Sequence, residues 1–286
     1  MRYLLIDTAN TFFRARHSVF RAADAWEKLG YALHIVMSSV NKVHKKFAAD
    51  HVVFALEGRS WRKDYYEPYK KNRAVARAAL TESEAEEEKL FWETFDKFTS
   101  YLKEQTNCSV IRHEEAEADD IIAVMTKYVQ ENELIQTGLV EESQKVLILS
   151  YDKDFKQLQK YPNVSQYSTI MKKFLKEDNP NKFLREHIIR GDKSDGIPNF
   201  LSDDEVFVEN RRQKPITKKS LVNWMDMSRN PEDFMDVNML ARFKRNEQLV
   251  DLTKVPDDIR DNIIAQFDND PEGDMRKVFD YFIKNR

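Results

Sequence analysis

Short continuous apolar runs alternate along the chain with stretches in which apolar residues return every three or four positions. Tyr3 to Ile6 is one such run, ending at Asp7, and reads as a buried strand. Leu33, Val36, Val40, Val43 and Phe47 then keep helical spacing, which predicts a helix over 31–48. His51 to Leu56 is a second strand, ending at Glu57. From Thr81 an acidic start leads into Leu90, Phe91, Phe95, Phe98 and Leu102, a long amphipathic helix whose negative end suits the helix dipole. Ser109 to Ile111 predicts a third strand, 118–128 a helix, Val146 to Leu149 the next strand and Val164 to Tyr167 another. The alternation predicts the α/β class, with a mostly parallel central sheet flanked by helices. Beyond about Asp178 the apolar runs thin out and helical spacing dominates. The expected division is an α/β domain over 1–180 and a smaller C-terminal helical domain over 181–286.

Composition changes this picture little. At 286 residues the chain has room for two domains of about 150 each. A net charge of −3 offers no global attraction to a polyanion, so any basic surface must be local. The single cysteine, Cys108, excludes an intramolecular disulfide and a cysteine-rich zinc site, and it fits a reducing compartment. MRYLLIDTAN is too short for a signal peptide and no run approaches a membrane span, so the expectation is a soluble intracellular chain without a membrane partner.

Acids stand where the strands end. In an open α/β sheet, ligands sit beyond the carboxyl ends of the strands. Asp7 and Glu57 close two strands, and Asp152 and Asp154 follow a third in Ser150-Tyr-Asp-Lys-Asp-Phe155. Glu115-Ala-Glu-Ala-Asp-Asp120 opens the helix after the Ser109 strand. Glu117 and Asp120, three apart, share a face of that helix, whereas Asp119 is turned by about 100° and reaches the same centre only from a rim. Asp192 and Asp195, again three apart, lie in Gly191-Asp-Lys-Ser-Asp-Gly-Ile-Pro-Asn199. Singly, each acid has a plain account as a turn residue, a cap or a helix-start charge. Recurrence at one end of successive strands is what a shared site requires and independent caps do not. Carboxylates within about 4–8 Å raise one another's pKa values, so protons or cations must enter. An oxygen-only set, with no Cys or His at ligand spacing, suits Mg²⁺ or Mn²⁺ rather than zinc. Two such ions about 3.5–4 Å apart activate a nucleophile and stabilise the leaving oxygen in phosphodiester cleavage.

Just after Glu57, the stretch Arg59-Ser-Trp-Arg-Lys-Asp-Tyr-Tyr-Glu-Pro-Tyr-Lys-Lys-Asn-Arg73 mixes six basic residues with four aromatics. Arg62, Lys63 and Lys71 are candidate phosphate contacts, and rings stack on unpaired bases at about 1–3 kcal/mol each. A solvated loop with packed aromatics is the equal alternative by composition. Emergence beside the acids favours nucleic-acid binding.

These motifs in their order, together with Tyr69-Lys-Lys-Asn-Arg73 and Arg245-Asn-Glu-Gln-Leu-Val-Asp-Leu252, resemble the flap endonuclease/5′→3′ exonuclease family over about 2–286, its phage RNase H members in particular. The resemblance implies a PIN-like 5′ nuclease core, a helical arch or bridge at about 59–105, and a helical domain that binds DNA. It implies a metal-dependent nuclease acting on RNA primers in RNA–DNA hybrids and on 5′ ends, nicks or flaps of DNA during replication. By matched position, Asp7, Glu117, Asp119, Asp120 and Asp152 would build and bridge one Mg²⁺ site, and Asp154, Asp192 and Asp195 a second, with Mn²⁺ as a substitute. Lys70 and Arg73 would steady the scissile phosphate, and Tyr69 would stack near the displaced end. The resemblance further implies a cytoplasmic monomer recruited by replication proteins such as a single-strand-binding protein or a clamp.

Three departures stand out. Glu57 occupies a position usually held by Asp, so it binds metal through water or distorts the first site. Lys153 replaces glycine between Asp152 and Asp154, and points to solvent or aids phosphate binding. Phe200 to Lys214 lacks the Gly-x-Gly of a duplex-gripping hairpin, which argues against potassium-assisted binding and leaves Lys218 and Lys219 as phosphate contacts. The departures keep one alternative open: a catalytically impaired DNA-end or junction-binding protein. A haloacid dehalogenase-type phosphatase would need Asp-x-Asp after the first strand, where this chain has Asp7-Thr-Ala-Asn10. Lys277 to Lys284 reads as a docking helix or an ordinary packed terminus.

Overall fold

Asp7 both ends the first strand and caps the first helix, and this junction sets the plan of the fold. The computed structural model describes residues 1–19, 24–132, 135–137, 140–142, 144–269 and 271–284. In chain order the elements begin with β1 (Arg2–Asp7), α1 (Thr8–Ser18), α2 (Ala25–Phe47) and β2 (His51–Ala55). Two short helices follow, α3 (Arg62–Tyr65) and α4 (Lys71–Ala78), then the long α5 (Glu82–Gln105). Next come β3 (Ser109–Ile111), α6 (Ala118–Asn132) and an antiparallel pair, β4 (Ile135–Thr137) with β5 (Val140–Glu142). After them run β6 (Lys145–Leu149), β7 (Val164–Ser168) and β8 (Lys173–Leu175). The helices α7 (Pro180–Arg190), α8 (Lys218–Trp224), α9 (Val237–Val250), α10 (Asp257–Phe267) and α11 (Lys277–Lys284) follow.

The main sheet has the order β3-β2-β1-β6-β7-β8, parallel except for the antiparallel β7–β8 pair. Its register pairs Asp7 with Ala55, Ala55 with Ile111, and Ile6 with Leu149. The carboxyl ends of β1, β2, β3 and β6 therefore reach one edge together. Leu4, Ile6, Val52, Phe54, Leu147 and Leu149 share a core with α1, α2 and α5, where Phe12 stacks on Phe91 and Phe95. The alternate residues Tyr3, Leu5, Val53 and Ile148 are buried as well, so the sheet is covered on both faces, as its parallel strands require. Each fully buried Phe or Leu side chain contributes about 1.5–3 kcal/mol. At the start of α5, Thr81 and Glu84 form a reciprocal capping box that satisfies the free N–H groups of the first turn.

The chain forms two compact units: Met1–Arg59, Thr81–Lys176 and Val255–Arg286 make one, Ser60–Leu80 and Glu177–Lys254 the other. The chain thus passes between units at four points, rather than once near residue 180. The expected 181–286 domain is accordingly split. In the α/β unit, Phe267 of α10 packs on Tyr3, His51 and Tyr128, and Tyr281 of α11 packs on Phe98 and Tyr101. These ring contacts make α11 a packed terminus. The expected arch region is split too, with α3 and α4 in the second unit and α5 in the α/β unit. Among the described residues no helix is long and apolar enough to cross a membrane.

Candidate metal centre and phosphate-binding segment

In the α/β unit, Asp7 is 2% exposed and its carboxylate is held from two sides. Oδ1 accepts the Asn10 N–H (3.3 Å), and Oδ2 accepts the Ser150 hydroxyl (2.8 Å). Ser150 follows β6 directly, and its Oγ accepts the Asp152 N–H at 3.0 Å. Asp152 then caps the turn after it, accepting the Asp154 N–H at 3.0 Å. From β7 the fully buried Gln166 donates to the carbonyl oxygens of Ser150 (3.1 Å) and Asp152 (2.6 Å), which fixes the whole turn. Burial pushes the Asp7 carboxyl up to about 6 and the neighbouring Asp152 charge adds to this, while Ser150, Asn10 and Arg14 pull the other way. Arg14 lies 4.8 Å over the exposed Tyr151 ring, its Nε donating to Asn10 Oδ1 at 2.7 Å.

A second group of acids gathers at the head of α6. Gly58 comes so close to the 113–116 backbone that a Cβ would fall 2.0 Å from the His113 carbonyl oxygen. Its N–H donates to the Ala116 carbonyl at 2.8 Å. That close approach brings Glu57 to the helix start, where its Oε2 accepts the Ala118 N–H at 3.2 Å, a carboxylate placed where the dipole favours it. Asp120, fully buried, reaches back to accept the Glu117 N–H at 3.0 Å. Glu117 is buried and Asp119 half-buried. The extra methylene of Glu57 thus serves a cap on α6. Lys153 is exposed, which fits its solvent-facing alternative.

The donor set fits a hard divalent cation. Asp7, Glu117 and Asp120 are buried carboxylates, Asp152 acts electrostatically on Asp7, and these four offer oxygen atoms. Burying several such groups is costly unless cations compensate their charge.

In the second unit, Asp192 is a buried turn residue: its Oδ1 accepts from the N–H and hydroxyl of Ser194, and its Oδ2 lies 3.1 Å from His187 Nε2. Asp195 is surrounded by the 69–73 segment, with Arg73 Nη2 at 2.5 Å, the Tyr69 hydroxyl at 3.4 Å and Lys70 Nζ at 3.5 Å. Asn246 Nδ2 donates to the carbonyls of Ile188 and Pro198, both at 2.8 Å, which explains why the Arg245-Asn246 pair accompanies the Gly191 motif.

Two sequence assignments need correction. Arg62 is 1% exposed, donates through Nε to the Leu249 carbonyl at 2.8 Å and stacks on Trp61, so it is a structural residue and not a phosphate contact. The Tyr69 ring is 4% exposed and packs in the unit's core, so it is not available to stack on a base. Lys63, Lys71, Lys218 and Lys219 are exposed, Lys71 pairing with Glu67 at 2.7 Å. In place of a glycine hairpin, the segment after Asn199 is closed by side chains. Asn199 Nδ2 donates to the Lys214 carbonyl (2.9 Å), and the Ser202 hydroxyl accepts the Lys214 N–H (2.8 Å). Ser150 and Gln166 were not singled out by sequence. The alternation of the Val164–Ser168 strand, which puts Gln166 on the same face as Val164, was the available signal for the second.

Residues 2–187 match the family described as 5′-3′ exonuclease, N-terminal resolvase-like domain. The chain belongs to this family. Residues 168–286 also match the C-terminal domain of T4 RNase H. The chain is 29% identical over 272 residues to the Ribonuclease H of Enterobacteria phage T4, covering 90% of this chain and 84% of that one. Among solved structures, the T5 5′-exonuclease with bound divalent metal ions (zinc) has a TM-score of 0.67 at 18% identity, covering 95% of this chain and 100% of that one. The bacteriophage T5 D15 flap endonuclease, in a pseudo-enzyme-product complex with DNA and metal ions, has a TM-score of 0.61 at 18% identity, covering 100% and 99% of the two chains. The two T5 structures share the fold of this chain.

Proposed function

We propose that this family member is a divalent-metal-dependent 5′ nuclease, a 5′→3′ exonuclease and flap endonuclease. Its substrates would be RNA primers in RNA–DNA hybrids and 5′ ends or flaps of DNA during replication. The observation that carries this reading is the buried Asp7 carboxylate, pushed up to about 6 by burial and by Asp152, at the edge where β1, β2 and β6 end together. Relatives named as a ribonuclease H and a flap endonuclease support the substrate class.

Asp7, Glu117, Asp119, Asp120 and Asp152 would hold the first of two Mg²⁺ ions, and Asp154 would contribute to the second. Magnesium, when bound, supplies Lewis acidity at the phosphate and activates water for attack. The chain's own residues do the rest. Ser150 fixes the Asp7 carboxylate, Gln166 holds the Asp152 turn, and Glu57 anchors the head of α6. Lys70 and Arg73 bind phosphate oxygens, with Lys63, Lys71, Lys218 and Lys219 adding backbone contacts that weaken with salt. Such an enzyme works as a monomer in the cytoplasm, recruited by replication proteins such as a single-strand-binding protein or a clamp.

The deciding experiment incubates 5′-labelled RNA–DNA hybrid, nicked and flap substrates with and without Mg²⁺. Short labelled products that require the metal support the reading. Retained duplex binding with no product on any substrate favours the impaired end-binding protein instead.

A further inference from the structure

Asp195 stands at a position that the resemblance assigns to metal, yet its carboxylate is engaged on both oxygens by its own unit. Arg73 Nη2 meets Oδ1 at 2.5 Å, and the Tyr69 hydroxyl and Lys70 Nζ lie 3.4 and 3.5 Å from Oδ2. The main chain makes the same junction without that carboxylate. The Lys70 N–H donates to the Asp195 carbonyl (2.8 Å), and Asn72 Nδ2 donates to the Ser194 carbonyl (3.3 Å). Gly196 approaches Pro68 so closely that a Cβ would fall 2.9 Å from the Pro68 carbonyl oxygen. Lys70 is held at φ 54, a left-handed conformation that a lysine keeps only where its surroundings over-determine it. The whole 68–73 segment is thus seated on the Asp192–Gly196 turn.

Charge points the same way. A divalent ion on Asp195 would sit against two fixed cations on the same pair of oxygens, an arrangement that like-charge repulsion opposes. Two cations against one carboxylate leave one surplus positive charge at the head of α4, and the Arg73 guanidinium is still 55% exposed. We propose that Asp195 is a positioning residue that holds Lys70 and Arg73 in register for a substrate phosphate, and that it does not ligate the metal. This rests on the nuclease reading given above. Without Asp195 the lysine and arginine lose their common anchor, and their long side chains regain the rotamer freedom that the anchor removes.

The test separates ligation from positioning. Titration calorimetry with Mn²⁺ as the probe should give the Asp195→Asn protein the same number of bound ions as wild type, with affinity within about twofold. Single-turnover cleavage should fall by about 10–100-fold, the cost of a misplaced catalytic contact, while the Mg²⁺ concentration for half-maximal rate stays the same. Adding Asp195→Asn to the Lys70→Ala/Arg73→Ala protein should cost little more, because the three act as one unit. Loss of one bound ion, tenfold weaker binding, or a full independent loss of rate in the triple variant overturns the proposal. Should Asp195→Asn fail to fold, Asp195→Ser decides by the same titration: an unchanged number of bound ions supports positioning, and loss of one overturns it. Wild-type protein that takes up no divalent ion would remove the nuclease reading, and this inference with it.

Discussion

The Ser150 hydroxyl donates to Asp7 Oδ2 at 2.8 Å, linking the ends of two adjacent parallel strands through a buried carboxylate. That bond opposes the burial that raises the Asp7 pKa. Ser150→Ala removes it and leaves the carboxylate buried, so the Asp7 pKa must rise further. A hydrogen bond to a charged group contributes about 1.5–3 kcal/mol, so Mn²⁺ affinity near pH 7 should fall about tenfold or more. The pH midpoint of metal uptake should move upward. Calorimetry at pH 6, 7 and 8 checks both, and an unmoved midpoint would count against the role given to Ser150.

Asp7 also makes metal-free stability depend on pH. Its folded pKa of about 6 lies above the ordinary 3.8, so the native state holds this proton more tightly than the unfolded chain does. Stability from this group is therefore full below pH 4 and is lost as pH rises through about 6, by roughly 3 kcal/mol in all. In EDTA at pH 7–8, Asp7→Asn should be more stable than wild type by that order, with the difference vanishing near pH 4. Urea unfolding of both proteins across pH 4–8 measures it. With saturating Mg²⁺ at pH 7.5 the ranking should reverse, because only wild type keeps the carboxylate.

Asp152→Asn is expected to lower turnover by at least about a hundredfold while substrate affinity stays within a fewfold, the pattern of a group needed only for the chemical step. Steady-state kinetics beside a gel-shift titration separates the two effects. Near-normal turnover would remove Asp152 from the proposed centre.

Arg62 and Lys63 are adjacent, yet they should behave in opposite ways. Arg62→Ala strips a buried guanidinium from the Leu249 carbonyl and the Trp61 ring, and should destabilise the protein by about 2–3 kcal/mol. Lys63→Ala should leave stability unchanged and weaken nucleic-acid binding at low salt. Thermal unfolding and salt-dependent binding of the two variants give the comparison. Equal melting temperatures would show that Arg62 is not the structural residue its burial makes it.

Much of the sheet edge was legible in the sequence because parallel strands are short apolar runs, and an acid that follows such a run must emerge at that edge. Asp7, Glu57 and Asp152 are found that way, and the 109–111 strand matched β3 residue for residue. What composition cannot report is which side of a residue faces protein. Arg62 and Tyr69 sit in the same basic, aromatic stretch as the exposed Lys63 and Lys71, and only packing distinguishes them. Helical spacing, likewise, marks an apolar face without naming its core. That is why α10 and α11 were grouped with the helices before them, whereas they complete the α/β unit. The bond from the Ala118 N–H to Glu57 was hidden for the same reason, because the two residues are remote in sequence.

The return of α10 and α11 to the α/β unit bears on synthesis. Tyr3, His51, Phe98 and Tyr101 leave the ribosome long before Phe267 and Tyr281, the rings that cover them. At about 5–20 residues per second, the emerging polypeptide spends many seconds with that aromatic surface bare. Fragments that stop at Lys254 should therefore be chaperone clients rather than miniature enzymes.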